Sequence, residues 1–218
     1  GSQESMILSL LALMNRDEDI FCVEDPSYVG ISHFALINGY QTNPIPVDEE
    51  GINLAALEKT IVSATQKGKR VKVVYVIPDF QNPTGVRMPI EKRKKLLELA
   101  ETHGFMIIED NAYGDFVFEG NAYPTLKSLD TKGKVIYLHS FSKSLHPSLR
   151  MGVMVADKVL ENDVAKSISI NFLQEEMESV SVDLDALRNE DDNKDKYAMR
   201  KMHSALKRYI KNIELLYN

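Results

Sequence analysis

The sequence contains a single cysteine, Cys22, so no disulfide can form within the chain. One cysteine and no disulfide are typical of proteins in a reducing compartment, and we expect a cytoplasmic location. An excess of positive charge is lacking as well, because 26 Lys and Arg face 32 Asp and Glu, giving a formal charge of −6. We therefore predict neither nucleic acid nor a membrane surface as a partner.

Long apolar runs are also missing. The apolar residues from 6 to 14 are interrupted by Ser9 and followed by Asn15 and Arg16. This stretch is too short to span a bilayer, and it lacks the basic flank and the cleavage site of a signal peptide. With 44% hydrophobic and 27% charged residues and no internal repeat, the sequence predicts a soluble globular protein of one to two domains.

Short apolar segments alternate with amphipathic patterns along the first 157 residues. The predicted strands, all apolar enough for burial, are residues 20–24, 71–77, 105–109, 135–138 and 151–155. The predicted helices are residues 4–14, 53–65 and 90–103, with Asn53 as an N-cap and Gly104 at a helix C-terminus. Buried strands separated by helices favour the α/β class, with a mostly parallel sheet and helices on both faces.

Polar residues directly follow three of these strands, where open parallel sheets bind their ligands. They provide an amide at Asn82, a carboxylate and a phenol at Asp110 and Tyr113, and an amine at Lys143, with Arg150 seven residues further on. Such a lysine could bind a phosphorylated ligand or form a Schiff base, and such a carboxylate could keep a heterocyclic nitrogen protonated. Each residue taken alone also fits a surface lysine, a turn or a helix cap.

Six short motifs occur in one order along the chain. They are residues 1–4 (GSQE), 24–28 (EDPSY), 81–85 (QNPTG), 110–113 (DNAY), 140–143 (SFSK) and 149–152 (LRMG). This set resembles the fold type I pyridoxal 5′-phosphate (PLP) enzymes, in particular the class I/II aminotransferases. The nearest branch contains aminoadipate and kynurenine aminotransferases and the effector domains of MocR regulators. The resemblance covers residues 1 to about 157 and implies the large PLP-binding domain of that fold.

The resemblance implies a role for each matching residue. Lys143 would hold the cofactor as a Schiff base and move a proton between the substrate and the cofactor, a task that a buried lysine of lowered pKa suits. Asp110 would pair with the pyridinium nitrogen, and Asn82 and Tyr113 would donate to the phenolic oxygen of the cofactor. The implied catalytic residues are Lys143, Asp110 and Tyr113, and no metal site is implied. The residues implied to bind the cofactor are Ser2, Gln3, Tyr28, Asn82, Asp110, Tyr113, Ser140, Lys143 and Arg150.

Two parts of this set carry an open alternative. Tyr28 would stack on the pyridine ring, but it could also be a packing aromatic after a turn. Ser2, Gln3, Ser140 and Arg150 would hold the phosphate, helped by the free amides of a helix N-terminus. The pair Gly1-Ser2 also matches a common expression remnant.

The chain departs from the family in length, because family members are close to twice as long. We expect a shortened form that lacks the family's N-terminal segment. Residues 1–157 would form the large domain, and residues 158–218 a helical, charged tail or an incomplete small domain. The arginine that binds the substrate carboxylate in the family is not identified, since Arg188, Arg200 and Arg208 fit equally well.

The resemblance implies a PLP-dependent aminotransferase that moves an amino group between an amino acid and a 2-oxo acid, and that works as a homodimer. Two alternatives stay open. One is a non-catalytic PLP-binding sensor of the MocR effector type. The other is a different PLP reaction, such as an elimination or a decarboxylation, because the cofactor residues do not distinguish these chemistries.

Overall fold

The computed structural model of the chain describes residues 1–149 and 151–157. They form a seven-stranded sheet of order β3-β2-β1-β4-β5-β6-β7. The strands are β1 Asp19–Asp25, β2 Gln41–Asp48, β3 Gly51–Ile52, β4 Arg70–Val76, β5 Met106–Asn111, β6 Val135–Ser140 and β7 Gly152–Val155. The helices are α1 Ser2–Leu13, α2 Val29–Ile37, α3 Leu54–Gln66, α4 Ile90–His103, α5 Leu126–Leu129 and α6 Phe141–Ser144.

The five central strands run parallel, and the two edge strands, β3 and β7, pair antiparallel to their neighbours. The predicted α/β class with a mostly parallel sheet is confirmed. After β1 the chain crosses to β2 on one side and returns to place β4 on the other side of β1. Such a reversal opens a crevice at the carboxyl ends of the strands, which is where open α/β sheets bind ligands.

Each face of the sheet has its own apolar core. One core joins α1 and α2 to strand residues that include Phe21, Val73 and Ile108, and we name this side the α1 face. The other core joins α3 and α4 to residues that include Val74 and Ile107, and we name it the α4 face. Because successive side chains of a strand point to opposite faces, Asp110 belongs to the α1 face and Glu109 to the α4 face.

The helix boundaries follow from their caps. Helix α4 spans the residues that the sequence predicts, and it ends at Gly104, whose φ of 76° is the left-handed conformation that glycine adopts most easily. Helix α3 begins after Asn53, whose side chain accepts a hydrogen bond from the backbone N–H of Ala56. Both predicted caps are present.

Three elements between residues 29 and 52 are absent from the sequence-based prediction. Strand β2 contains Pro44 and Pro46, which cannot donate ladder hydrogen bonds and therefore argue against a strand. Strand β2 is nevertheless paired on both sides, with β1 and with the two-residue strand β3. Strands β5 and β6 are longer than predicted, so Asp110 and Ser140 lie within strands rather than in the following loops.

The last strand also differs from the prediction. Residues 151–155 are expected to be buried, but β7 is an edge strand whose Val153 and Val155 remain 40% and 42% exposed. An edge strand has a neighbour on one side only, and alternate side chains of β7 face away from the core. The predictions for residues 158–218 lie outside the described residues. Within the described ranges, no helix has the length and apolar character that a membrane crossing requires.

Candidate functional site

A cavity of about 250 Å³ opens at the carboxyl ends of β1, β4, β5 and β6, on the α1 face. That volume is somewhat below the 300–1,000 Å³ that is ordinary for small-molecule pockets, so it suits a ligand with a single ring. The residues that line it are Gly1, Ser2, Gln3, Met6, Tyr28, Ile77, Asn82, Asp110, Ala112, Tyr113, Ser140, Ser142 and Lys143.

The cavity gathers eight of the nine residues implied to bind the cofactor. They come from the start of α1, the loops after β1 and β4, the end of β5 and the β6–α6 junction. The ninth, Arg150, lies outside the described residues. Residues up to 141 positions apart in the sequence therefore surround one small volume (Ser2 to Lys143, 143 − 2).

The floor of the cavity holds a buried carboxylate. Asp110 is 5% exposed, and its Oδ2 accepts a hydrogen bond of 2.6 Å from the hydroxyl of Tyr75. Its other oxygen, Oδ1, is buried and has no hydrogen-bond partner among the described residues. Burial raises the pKa of Asp110 to about 6, and the hydrogen bond from Tyr75 opposes part of that rise. A buried acceptor without a donor in a cavity wall indicates that a ligand supplies the donor.

The N-terminus of α1 forms one wall. The first N–H groups of a helix have no partner within it, and together with the helix dipole they favour an anion. This helix end packs closely against β7, because a Cβ added at Gly152 would lie 2.6 Å from the backbone nitrogen of Ser2 and 2.9 Å from the carbonyl oxygen of His139. Glycine at position 152 therefore allows the helix end to approach the sheet.

A tyrosine ring forms a second wall. The ring of Tyr28 folds over the start of α2, since a Cβ added at Gly30 would meet ring atoms at 2.5–2.6 Å. Its hydroxyl lies 3.5 Å from Oε1 of Gln3 in α1. The ring thus lines the cavity between α1 and α2, and a flat aromatic face in this place can stack on a planar ligand.

Two polar groups from neighbouring loops meet at the opposite side. The Nδ2 of Asn82 and the hydroxyl of Tyr113 are 3.5 Å apart, and both residues line the cavity. The Asn82 loop is held by Gln81, which is 1% exposed and donates both to Glu24 Oε2 and to the carbonyl oxygen of Pro26. Gln81 therefore ties the loop of Asn82 to the segment that precedes Tyr28.

The fourth side contains Ser140 and Lys143. The Oγ of Ser140 accepts from the backbone N–H of Ser142, so its own O–H hydrogen can donate to a ligand. The side chain of Lys143 lines the cavity but is exposed, in contrast to the buried environment expected for it. It lies in the four-residue helix α6, beyond the end of β6, and none of the residues of this helix is buried.

Sequence reasoning misses two contributors to this site, Tyr75 and Gln81. Tyr75 stands inside the apolar run VKVVYVI, so it resembles a core residue, and it is indeed fully buried. The two-residue period of strands was the available indication, because it places Tyr75 and Asp110 on the same face of neighbouring strands. Gln81 begins the motif QNPTG, but nothing in the sequence shows that its amide is buried.

The family model described as "Aminotransferase class I and II" matches residues 1–218, the entire sequence. The chain belongs to the class I and II aminotransferase family. The resemblance noted from the six motifs is confirmed, and the mostly parallel sheet with its helices matches the fold of solved PLP-dependent aminotransferases.

Named relatives include enzymes and a regulator. The chain is 40% identical over 158 residues to (S)-3,5-dihydroxyphenylglycine transaminase of Amycolatopsis orientalis, covering 72% of this chain and 36% of the relative. It is 34% identical over 163 residues to the probable rhizopine catabolism regulatory protein MocR of Rhizobium meliloti, covering 74% and 31% respectively.

A solved structure of similar fold is the kynurenine aminotransferase of Pyrococcus horikoshii, crystallised in complex with PMP. It shares 39% sequence identity with a TM-score of 0.73, covering 78% of this chain and 42% of that chain. The chain thus spans less than half the length of these three relatives.

Proposed function

We propose that this chain is the cofactor-binding part of a PLP-dependent aminotransferase, which moves an amino group between an amino acid and a 2-oxo acid. One observation carries the proposal: Asp110, whose buried Oδ1 has no hydrogen-bond partner among the described residues, lines a cavity that Lys143 and the N-terminus of α1 also line. PLP offers a ring N–H, an aldehyde and a phosphate, which are the groups that a carboxylate, an amine and a helix N-terminus bind. PLP when bound supplies a protonated ring that accepts electrons from the substrate.

Five of the lining residues have a task around the ring of the cofactor. Asp110 would hold the ring nitrogen in its protonated form, since its buried Oδ1 has no donor among the described residues and a carboxylate oxygen favours a cationic N–H. Asn82 and Tyr113 donate to the phenolic oxygen, and the Tyr28 ring stacks on the pyridine face. Lys143 Nζ would hold the cofactor through its aldehyde group, with loss of one water, and would move the proton at the substrate Cα.

We assign the phosphate group of PLP to the end of the cavity near the start of α1. The backbone N–H groups of Ser2 and Gln3 at the start of α1 and the hydroxyl of Ser140 are the donors that we assign to it. Arg150, which lies outside the described residues, is proposed to add a charged contact. A narrow approach at Gly152 supports this assignment, because it keeps the helix end beside the end of β6.

The wider setting is also part of the proposal. We assign residues 1–157 to the large cofactor-binding domain and residues 158–218 to the tail or small domain. The protein would act as a cytoplasmic homodimer on small molecules, without nucleic acid or membrane partners. The single buried Cys22 in β1 supports a reducing compartment. Exposed apolar side chains on α2, such as Leu36 and Ile37, support an association that covers them.

The first experiment tests cofactor attachment. The purified chain is mixed with PLP and reduced with borohydride, and the pyridoxyl-modified peptide is located by mass spectrometry. We expect modification at Lys143 and its loss in Lys143→Ala. Lys132→Ala is the matched control, because Lys132 lies in the turn before β6, at the opposite end of that strand, and should leave the modification unchanged. Equal labelling of wild type and Lys143→Ala would contradict the proposal.

A second measurement distinguishes the reaction from the sensor alternative, which the similarity to the MocR protein favours. An amino acid is added to the PLP-loaded chain, and cofactor and acid products are quantified after denaturation. Transamination yields the amino form of the cofactor and one 2-oxo acid in equal amounts. A spectral change without amino transfer favours the sensor. Carbon dioxide or an eliminated side-chain group would indicate one of the other PLP reactions.

A further inference from the structure

The carboxylate at the floor of the cavity has a hydroxyl behind it that the proposed function does not use. Tyr75 lies on β4, beside β5, and its ring is fully buried in the core of the α1 face. Its hydroxyl is 2.6 Å from Asp110 Oδ2. This is a short, charge-assisted geometry for an O–H donor on a carboxylate.

The two oxygens of Asp110 therefore differ in their hydrogen bonds. Oδ2 is occupied by Tyr75, while Oδ1 is buried without a partner in the described ranges. A carboxylate held by one oxygen rotates less about its Cβ–Cγ bond, so the direction of its free oxygen is defined. The orientation of that free oxygen decides how strong a hydrogen bond it accepts from a ring N–H of a ligand, because hydrogen bonds weaken steeply when misaligned.

We propose that Tyr75 is a positioning residue, which holds Asp110 so that Oδ1 faces the ring nitrogen of PLP. This inference rests on the proposed function, since it needs the cofactor in the cavity. Tyr75 does not line the cavity and acts only through Asp110. Its hydrogen bond also favours the charged carboxylate, which is the form that pairs with a pyridinium.

Other titratable groups around Asp110 are accounted for. They are Glu24 on β1, His139 on β6, and Tyr28, Tyr113 and Lys143 around the cavity. Only Tyr75 among the described residues donates a hydrogen bond to the carboxylate. Removal of that one hydroxyl is therefore expected to raise the pKa of Asp110 and to loosen its orientation.

The test is an equilibrium titration of the apo chain with PLP between pH 5 and pH 9. In Tyr75→Phe we expect the Kd for PLP to rise about tenfold at pH 7.5, the loss of one hydrogen bond to a charged group. We also expect the acidic limb of the affinity profile to move to higher pH, because protonated Asp110 must lose a proton to bind a pyridinium. Tyr137→Phe is the control: Tyr137 is a strand tyrosine whose hydroxyl accepts from Asn111 Nδ2, and its Kd should stay within about twofold of wild type.

A double variant shows whether Tyr75 acts through Asp110. In an Asp110→Asn background, Tyr75→Phe should change the Kd less than twofold, because the carboxylate that it orients is gone. If Tyr75→Phe alone fails to fold but the double variant folds, the unpaired carboxylate is the cause and the proposal stands. If neither variant folds, Tyr75 is a packing residue and the proposal falls.

The two proposals can fail separately. Wild type that binds no PLP overturns the proposed function and this inference with it. Wild type that binds PLP, with Tyr75→Phe unchanged in both Kd and acidic limb, overturns the positioning role alone. An equal loss in Tyr75→Phe and Tyr137→Phe would also overturn it, because a general effect of lost strand hydroxyls then explains the data.

Discussion

Glu109 and Asp110 are neighbours in β5, and both are buried carboxylates, yet they differ in their hydrogen bonds. Both oxygens of Glu109 are used: Oε1 accepts from the backbone N–H of Leu126 and Oε2 from that of Lys127, each at 2.8 Å. Asp110 has one oxygen bound and one without a partner in the described part of the chain. Burial raises both pKa values, to about 7 for Glu109 and about 6 for Asp110. A raised pKa alone therefore does not identify a ligand site.

A similar contrast exists between a group of ion pairs on the α4 face and the carboxylate of Asp110 on the α1 face. On the α4 face, Arg93 is fully buried and its guanidinium contacts Asp79 Oδ1 at 2.8 Å. Arg87 contacts the same oxygen at 2.8 Å. The buried charges of Arg93 and Asp79 are thus paired with each other. On the α1 face the carboxylate at the end of β5 lines a cavity, and we propose a ligand as the partner of its free oxygen.

The largest effect is expected at Glu109. Glu109→Ala leaves two N–H groups at the start of α5 without acceptors, each worth about 1–3 kcal/mol when buried. We expect the free energy of unfolding to fall by about 3 kcal/mol in urea titrations of the apo chain, with Kd for PLP within about twofold of wild type. Glu109→Gln is the matched control and should lose less, because one oxygen still accepts. A PLP affinity that falls with stability would contradict the separation of the two faces.

The fold was predictable where local chemistry sets it. Helix α4 has an amphipathic pattern between Pro89 and Gly104, and its bounds were predicted to the residue. Strand β2 was missed because Pro44 and Pro46 argue against a strand, whereas its pairing with β1 depends on contacts distant in sequence. The burial of β7 was predicted wrongly, because an apolar pattern does not tell a central strand from an edge strand.

The residues that line the candidate site were predictable, but the residue that holds Asp110 from behind was not. Asp110 stands in a motif at the end of β5 and Lys143 in one that follows β6, and the parallel sheet brings those strand ends together. Tyr75 could not be found in this way, since its hydroxyl lies within an apolar run and its function depends on a neighbouring strand. The exposure of Lys143 was also unpredictable, because it depends on what covers the α6 region.

A smaller effect, in the pH dependence of stability, distinguishes the two carboxylates again. The folded pKa of Asp110, about 6, lies above its ordinary value of 3.8, so the folded apo chain holds the proton more tightly than the unfolded chain. This contribution to stability is fully present below pH 3.8 and is lost as pH rises through 6. We expect the unfolding free energy of Asp110→Asn, relative to wild type, to increase from pH 4 to about pH 6 and then to level off.

Saturating PLP provides the control for that measurement. A ring N–H on Oδ1 favours the ionised carboxylate, so the rise with pH should shrink in the loaded wild type. For Glu109 the corresponding loss continues to about pH 7 and should not respond to PLP, because both of its oxygens already accept from the backbone. A flat difference curve for Asp110→Asn would show that the buried Asp110 does not titrate as the comparison requires.

The smallest effect is expected at Arg87, because Asp79 has a second arginine partner. Arg87→Leu removes one partner of Asp79 and a guanidinium 3.8 Å from the ring centre of Tyr123, but Arg93 still holds the carboxylate. We expect a loss of about 1 kcal/mol in the free energy of unfolding, the scale of one cation–π contact with a shared ion pair.

An exposed ion pair is the control for this substitution. Lys94→Leu breaks the surface contact between Lys94 and Glu91 and should cost less than Arg87→Leu, because solvent screens an exposed ion pair. Neither change should alter the Kd for PLP. Asp79 begins the loop that carries Asn82 into the cavity, so a tenfold weaker PLP affinity in Arg87→Leu would mean that the ion pairs also hold the cofactor-binding loop. In that case the ion pairs of Asp79 would affect PLP binding through the backbone of the loop that contains Asn82. The two faces would then be independent in their side-chain contacts but not in their backbone.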